Sequence, residues 1–165
     1  MKRPWEYQEG TLPWTKTCFV CGQDNPHGLK LRSRVEGDTV VLNHVPRAAD
    51  LGYRHLVHGG ISMTLLDEVM TWAAILTFKG ASVAAELTVR LKQPVVAWKP
   101  IRIEGWITLD KARLVATEGR IVDANQIVLA TATGKYVSMP GEGRHLCVED
   151  FVDSDEAIYL PFLKG

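Results

Sequence analysis

The sequence has little of what would announce a function at once. Only three of its 165 residues are cysteine, an odd and small count that argues against a disulfide framework and suits a reducing compartment. Neither sign of charge is in surplus: lysine plus arginine and aspartate plus glutamate each total 19. The chain therefore lacks the basic footprint of a nucleic-acid binder, and an anionic ligand must be held by local charge. No uninterrupted apolar run reaches the roughly 20 residues of a membrane span. The opening MKRPWEYQEG has no apolar core of a secretory signal. Internal repeats, low-complexity tracts and long linkers are also absent. The expectation is one soluble, cytoplasmic domain with no nucleic-acid or membrane partner, long enough to bury about two thirds of its unfolded surface.

Cys18 and Cys21 form a C-x-x-C, which alone is half a zinc site that His27, His145 or Cys147 would have to complete. A closed site needs a second ligand pair at suitable spacing, and none follows locally. Nor does the motif lie between a predicted strand and helix, as a thioredoxin-like redox pair would. The expectation is small buried thiols in a structured N-terminal loop, with no metal and no cofactor.

Alternation in GLKLRSRV puts Leu29, Leu31 and, less cleanly, Val35 on one face of a strand, and Gly37-Asp38 turns it into TVVLNHV. From Gly59 to Phe78 runs a proline-free segment so broadly apolar that it predicts a buried central helix, ended by Lys79-Gly80 with the glycine in the left-handed conformation. Four long strands follow. SVAAELTVRLKQPV sets Ala85, Leu87, Val89 and Leu91 on one face until Pro94; then come IRIEGWITL, ARLVATEGRIV and QIVLATATGKYVSM, the last two joined at Asp123-Ala124-Asn125. This order predicts an α+β fold, an antiparallel β-sheet wrapped around one long helix. The N-terminal loop is 1–27, the main domain 28–140 and the tail 141–165, whose apolar AIYLPFLKG should dock onto something.

Within the helix, HLVHGGISMTLLDEVM raises the functional question. Gly59 and Gly60 fall at the helix start, where backbone N–H groups lack partners, a ligand can approach glycine closely, and the dipole is positive. That is the chemistry of an oxyanion hole, although the same glycines also permit a tight entry into the helix. Asp67 and Glu68 lie in a segment that otherwise reads as core, where an unpaired carboxylate costs several kcal/mol. Neighbours on a helix point about 100° apart, so the two need not share a role, and periodicity does not say which is active. His58 is a general base by type, but at the lip of the helix it is better placed to brace the turn. Ser62 has no base other than His58 and no G-x-S-x-G elbow, which argues against a serine hydrolase.

CFVCGQDNPHGLKLR, LGYRHLVHGGISMTLLDEVMTWAA and ELTVRLKQPV, in that order, resemble the hotdog-fold acyl-CoA thioesterases, specifically the phenylacetyl-CoA-pathway-like branch, over Cys18 to Val137. In that family a carboxylate follows the histidine of HGG by nine positions, which registers Asp67 and not Glu68. The resemblance implies hydrolysis of a coenzyme A thioester. The backbone N–H of Gly59, with or without that of Gly60, would hold the oxyanion, and Asp67 would activate a water or, less favoured, attack the carbonyl. It also implies a homodimer in which glycine and carboxylate come from opposite subunits, with a homotetramer as a pair of dimers common. The coenzyme phosphates would need basic groups, for which Arg90, Lys92, Lys99 and Arg102 are candidates. Met63, Met70 and Trp72 are candidates for lining the acyl pocket. Two positions depart from the pattern: Ala84 where many relatives carry serine or threonine, and Gly52 where some carry asparagine. Ser82 or Thr88 could replace the missing hydroxyl. These losses motivate an alternative, a non-catalytic acyl-CoA-binding or sensing module. A hotdog dehydratase is disfavoured because His58 stands outside the helix body.

Overall fold

A helix with apolar residues all round it has to be enclosed. Gly59–Phe78 forms such a helix, α1, and it lies against one face of an antiparallel sheet in the computed structural model, which describes residues 9–141 and 148–163. The strands are β1 Gly10–Thr11, β2 Arg34–Glu36, β3 Thr39–His44, β6 Ser82–Leu91, β7 Ile101–Lys111, β8 Leu114–Asp123 and β9 Val128–Ser138. Their order in the seven-stranded sheet is β1-β2-β3-β7-β8-β9-β6, and each neighbouring pair is antiparallel. A separate two-stranded ribbon, β4 Leu51–Tyr53 and β5 Leu56–Val57, precedes the helix. The architecture is the hotdog fold, a long helix wrapped by a β-sheet.

Leu65, Leu66, Val69, Met70, Ala73 and Ala74 of α1 are fully buried among Ile103, Ile121, Ala130 and Tyr136 of the sheet. Burying each large aliphatic side chain stabilises by about 1.5–3 kcal/mol. Three glycines set how closely the sheet approaches. A Cβ on Gly105 would lie 2.9 Å from the Val69 carbonyl carbon, one on Gly119 3.0 Å from the Met70 sulfur, and one on Gly134 2.8 Å from the Met70 methyl. At Gly105 the obstacle is helix backbone, which cannot rotate away as a side chain can. By length and composition α1 would pass as a membrane span, which counting uninterrupted apolar runs overlooks. Here its apolarity is spent on the sheet.

Local signals marked the helix bounds, the turn at Gly37-Asp38 and the four long strands. Other details differ. Leu29 and Leu31 lie outside any strand, because their N–H groups bond Phe19 and Val20 of the N-terminal loop and not a ladder. The left-handed residue after the helix is Lys79 (φ 52°, ψ 49°), and Gly80 follows with its N–H on the Ile75 carbonyl. Leu91 is 49% exposed, since β6 forms an edge of the sheet. The tail docks onto the N-terminal segment: the Ile158 N–H donates to the Thr11 carbonyl (2.8 Å), and Leu160 and Leu163 enter the core. His145 and Cys147 lie outside the described residues.

Two clusters of charge tie irregular segments to the sheet. Asp50, 1% exposed, accepts from His44 Nε2 (2.8 Å) and from the Arg47 N–H (2.8 Å), with the Arg47 guanidinium 3.3 Å away. On the outer face, Glu104 bonds both Arg102 (2.8 Å) and Arg120 (2.6 Å), and Arg102 also bonds Glu36 (2.6 Å). Burial works against ionising Asp50 and Glu104, but these donors outweigh it and hold both carboxyls below their ordinary values.

Two expectations follow. Gly105→Ala should lower stability by about 1–3 kcal/mol in urea denaturation, because the methyl meets helix backbone. A carboxyl lowered in the native state stabilises the fold above its unfolded pKa and loses that contribution as pH falls through its native value. The denaturation midpoint should therefore fall below about pH 4. The fall should be shallower in Asp50→Asn or Glu104→Gln.

Candidate active site

The approach to α1 is fixed by the Asp50 cluster. The Asp50 backbone carbonyl accepts the His58 N–H (2.9 Å), so the carboxylate gripped by His44 and Arg47 also anchors the residue that caps the helix. His58 Nδ1 accepts the Gly60 N–H at 2.9 Å, and its carbonyl accepts from Ile61 and Ser62. The Gly60 amide is thus engaged by the cap. Among the described residues the Gly59 N–H has no acceptor, and a Cβ at Gly59 would lie 3.1 Å from Leu91 of β6. Gly52 packs against His58, where a Cβ would meet its Cα at 3.0 Å and its Cδ2 at 3.2 Å. Any longer side chain at position 52 would have to displace the cap. None of Asp50, His44 or Arg47 was singled out in the sequence, where only the polar residues of NHVPRAAD flanking the helix entry hint at them.

Asp67 is partly buried and takes part in no ion pair among the described residues. Its Oδ1 accepts the Tyr136 hydroxyl at 2.8 Å and the Thr71 hydroxyl at 3.4 Å. Burial first, and then the charge of Asp67, push the Tyr136 phenol well above its usual range, so it stays a donor. Tyr136 is fully buried on β9 and pairs directly with Ala84 of β6 across the ladder. A hydroxyl therefore reaches Asp67 from the residue opposite the one where a hydroxyl was missed. The two substitutes weighed from sequence lie elsewhere. The Ser82 hydroxyl is buried without a partner among the described residues, and Thr88 lines an outer-face depression.

Glu68 points into different surroundings, beside Cys18 and Cys21. One ligand atom of each of these three residues lies within 4.8 Å of the others, which makes them the group able to hold a metal among the described residues. Burial, and then the neighbouring Cys18 sulfur, push the Glu68 carboxyl up to about 8. Hydrogen bonding from Cys21 draws the Cys18 thiol down, and the same contact raises Cys21.

The remaining expected residues are spread over the molecule. Arg90 and Lys92 line a depression of about 520 Å³ with Trp106, Arg120 and Thr131, on the sheet face away from α1. Arg102 shares that face, but its guanidinium holds Glu36 and Glu104. Met63 is 40% exposed on α1. Trp72 is buried, stacks edge-on against Phe151 with ring centroids 5.7 Å apart, and hydrogen-bonds Glu68.

Residues 55–130, from the helix approach into β9, match the model of the thioesterase superfamily. No curated protein matches the chain by sequence. Among solved structures, a protein described as a thioesterase superfamily member is similar at 25% identity over 73% of this chain and 60% of its own, with a TM-score of 0.67. The chain thus spans less than two thirds of that relative. The Escherichia coli PaaI protein from the phenylacetic acid degradation operon is similar at 21% identity, covering 65% of this chain and 78% of that one (TM-score 0.60). A hypothetical thioesterase from Streptococcus pneumoniae, solved with coenzyme A, is similar at 16% identity over 60% and 79% (TM-score 0.57). The class defined by fold and helix is that of the hotdog proteins. Within that class, residues 55–130 are similar to the thioesterase superfamily, and the solved structures share the fold.

If the cap fixes the helix entry as described, Gly52→Asn should displace His58. The expected outcome is faster hydrogen exchange at the amides of Gly60 and Ile61, with the exchange of β7 and β8 unchanged.

Proposed function

We propose that the protein is an acyl-CoA thioesterase of the phenylacetyl-CoA-pathway-like branch, acting as a homodimer. The observation that carries this reading is Asp67: a carboxylate on an enclosed helix, outside any ion pair among the described residues and oriented by two hydroxyl donors. Gly59, whose amide is not taken by the cap, is the complementary part. Eight residues separate the two along α1, about 12 Å at 1.5 Å per residue, too far for both to act on one carbonyl. In this reading the amide comes from a second copy. The edge strand β6, with Val83 45% and Leu91 49% exposed, offers a surface and an open ladder for pairing. Two such dimers could pair further.

In this mechanism the partner's Gly59 N–H polarises the thioester carbonyl. Asp67 takes a proton from a water whose oxygen bonds the carbonyl carbon, and the negative charge that develops on the carbonyl oxygen rests against the amide. Collapse breaks the carbon–sulfur bond and releases the free acid, while the coenzyme A thiolate takes up the proton. Tyr136 holds the carboxylate in place. The coenzyme A seen with the Streptococcus pneumoniae relative supports this substrate class. Arg90 and Lys92, and not the salt-bridged Arg102, are the cations free to meet its phosphates. Ala84 favours a second reading, an acyl-CoA-binding module without turnover.

Thiol release from short-chain, long-chain and aryl CoA thioesters tests both readings. Asp67→Asn should lower kcat by about 10²–10⁴-fold while coenzyme A still binds. Turnover at the wild-type rate in that variant would remove Asp67 as the base. Saturable binding without thiol release by the wild-type protein on every substrate would favour the second reading. Tyr136→Phe, which removes a hydrogen bond to a charged group, should cost roughly tenfold in kcat with KM little changed.

A further inference from the structure

The C-x-x-C of the N-terminal loop has no part in the chemistry above, yet the fold has built a setting around it. Its turn is closed by the Gly22 N–H on the Cys18 carbonyl (2.9 Å), and a Cβ at Gly22 would collide with the backbone of Cys18. This tight turn aims main-chain donors at sulfur: the Val20 N–H lies 3.3 Å from Cys18 Sγ, and the Cys21 N–H also bonds it. Such bonds favour the thiolate, the form that ligates metals. Thr15 braces the turn from outside, accepting the Cys18 N–H at 3.0 Å and lying 3.7 Å from Cys21 Sγ. Backbone bonds from Leu29 to Phe19 and from Leu31 to Val20, each 2.8 Å, hold the turn against the next segment. The third group comes from α1, far along the chain: Glu68, held by the Trp72 indole, places an oxygen within 4.8 Å of both sulfurs.

We propose that Cys18, Cys21 and Glu68 form a binding site for one thiophilic divalent cation, zinc being the ion that best fits, with a water as fourth ligand. Two thiolates and a carboxylate supply the borderline-soft donor set that zinc takes, and a bound cation would displace the protons otherwise held on Cys21 and Glu68. A tetrahedral site with zinc–sulfur bonds of about 2.3 Å sets the sulfurs about 3.8 Å apart. The present spacing requires at most a contraction of about 1 Å, within reach of side-chain rotation. A disulfide between the cysteines would use the same turn but would leave Glu68 unexplained. Bound metal would clamp the N-terminal loop to α1 at the residue beside Asp67, joining segments that the superfamily match does not cover to the one that it does. The site stands independently of thioester hydrolysis, and its test reads binding.

The full-length protein, purified reduced and stripped with chelator, is titrated with Zn²⁺ in competition with a chromophoric chelator. The titration is repeated with Co²⁺, whose thiolate charge-transfer absorption reports sulfur ligation. The expected result is roughly one tight equivalent per chain, a thiolate–cobalt band and a rise in Tm on adding zinc. Glu68→Gln should keep the fold, by circular dichroism, and weaken zinc binding at least about tenfold. Cys18→Ser with Cys21→Ser should abolish both the band and the tight equivalent. No tight binding by the reduced wild-type protein would overturn the proposal. So would a full equivalent and band in the double cysteine variant, which would put the metal elsewhere, or an unchanged affinity in Glu68→Gln.

Discussion

The rest of the structure depends on the contact between the backbone of α1 and the sheet at Gly105. Where the Val69 carbonyl meets a residue without a Cβ, the sheet curls close enough to bury the helix through Leu65, Leu66, Met70 and Ala73. Close packing of that kind leaves no slack, so a polar group carried on the helix cannot rely on bulk water. Asp67 and Glu68 are the two carboxylates on which that constraint falls.

Each meets it differently, because the two side chains leave the helix in different directions. Asp67 faces β9 and is met by hydroxyls, donors that orient a carboxylate while leaving its charge unneutralised. Glu68 faces the N-terminal loop and is met by two thiols and an indole. One turn of helix thus carries the group that the proposed mechanism uses for proton transfer and the group that the proposed metal site uses for ligation. The Asp50 cluster performs a related service at the helix entry, where a buried, hydrogen-bonded carboxylate holds the cap and leaves the Gly59 amide without an acceptor among the described residues.

Much of the fold was legible because its signals are local. The unbroken apolar stretch of α1, the alternation in β6 to β9 and the turn at Gly37-Asp38 each depend on residues close in sequence. Signals that depended on distant partners misled. Leu29 and Leu31 alternate like a strand, but the N-terminal loop supplies their hydrogen bonds, and Leu91 reads as a core position although it sits half exposed on the edge strand of the sheet. Arg102 is a candidate for the coenzyme phosphates by sequence, but Glu36 and Glu104 hold its guanidinium.

By itself the sequence determined a long buried helix, four strands to wrap it, a glycine entry and a carboxylate nine positions after the histidine, since periodicity and spacing along one chain are enough for these. Only the tertiary structure decided what the two carboxylates touch. Tyr136 reaches Asp67 because β9 lies beside β6 in register with Ala84, and Glu68 meets Cys18 and Cys21 because the N-terminal loop folds back onto α1. Both are contacts between residues far apart in the chain. No local pattern encodes them, because it is the closure of the sheet around the helix that brings their ends together.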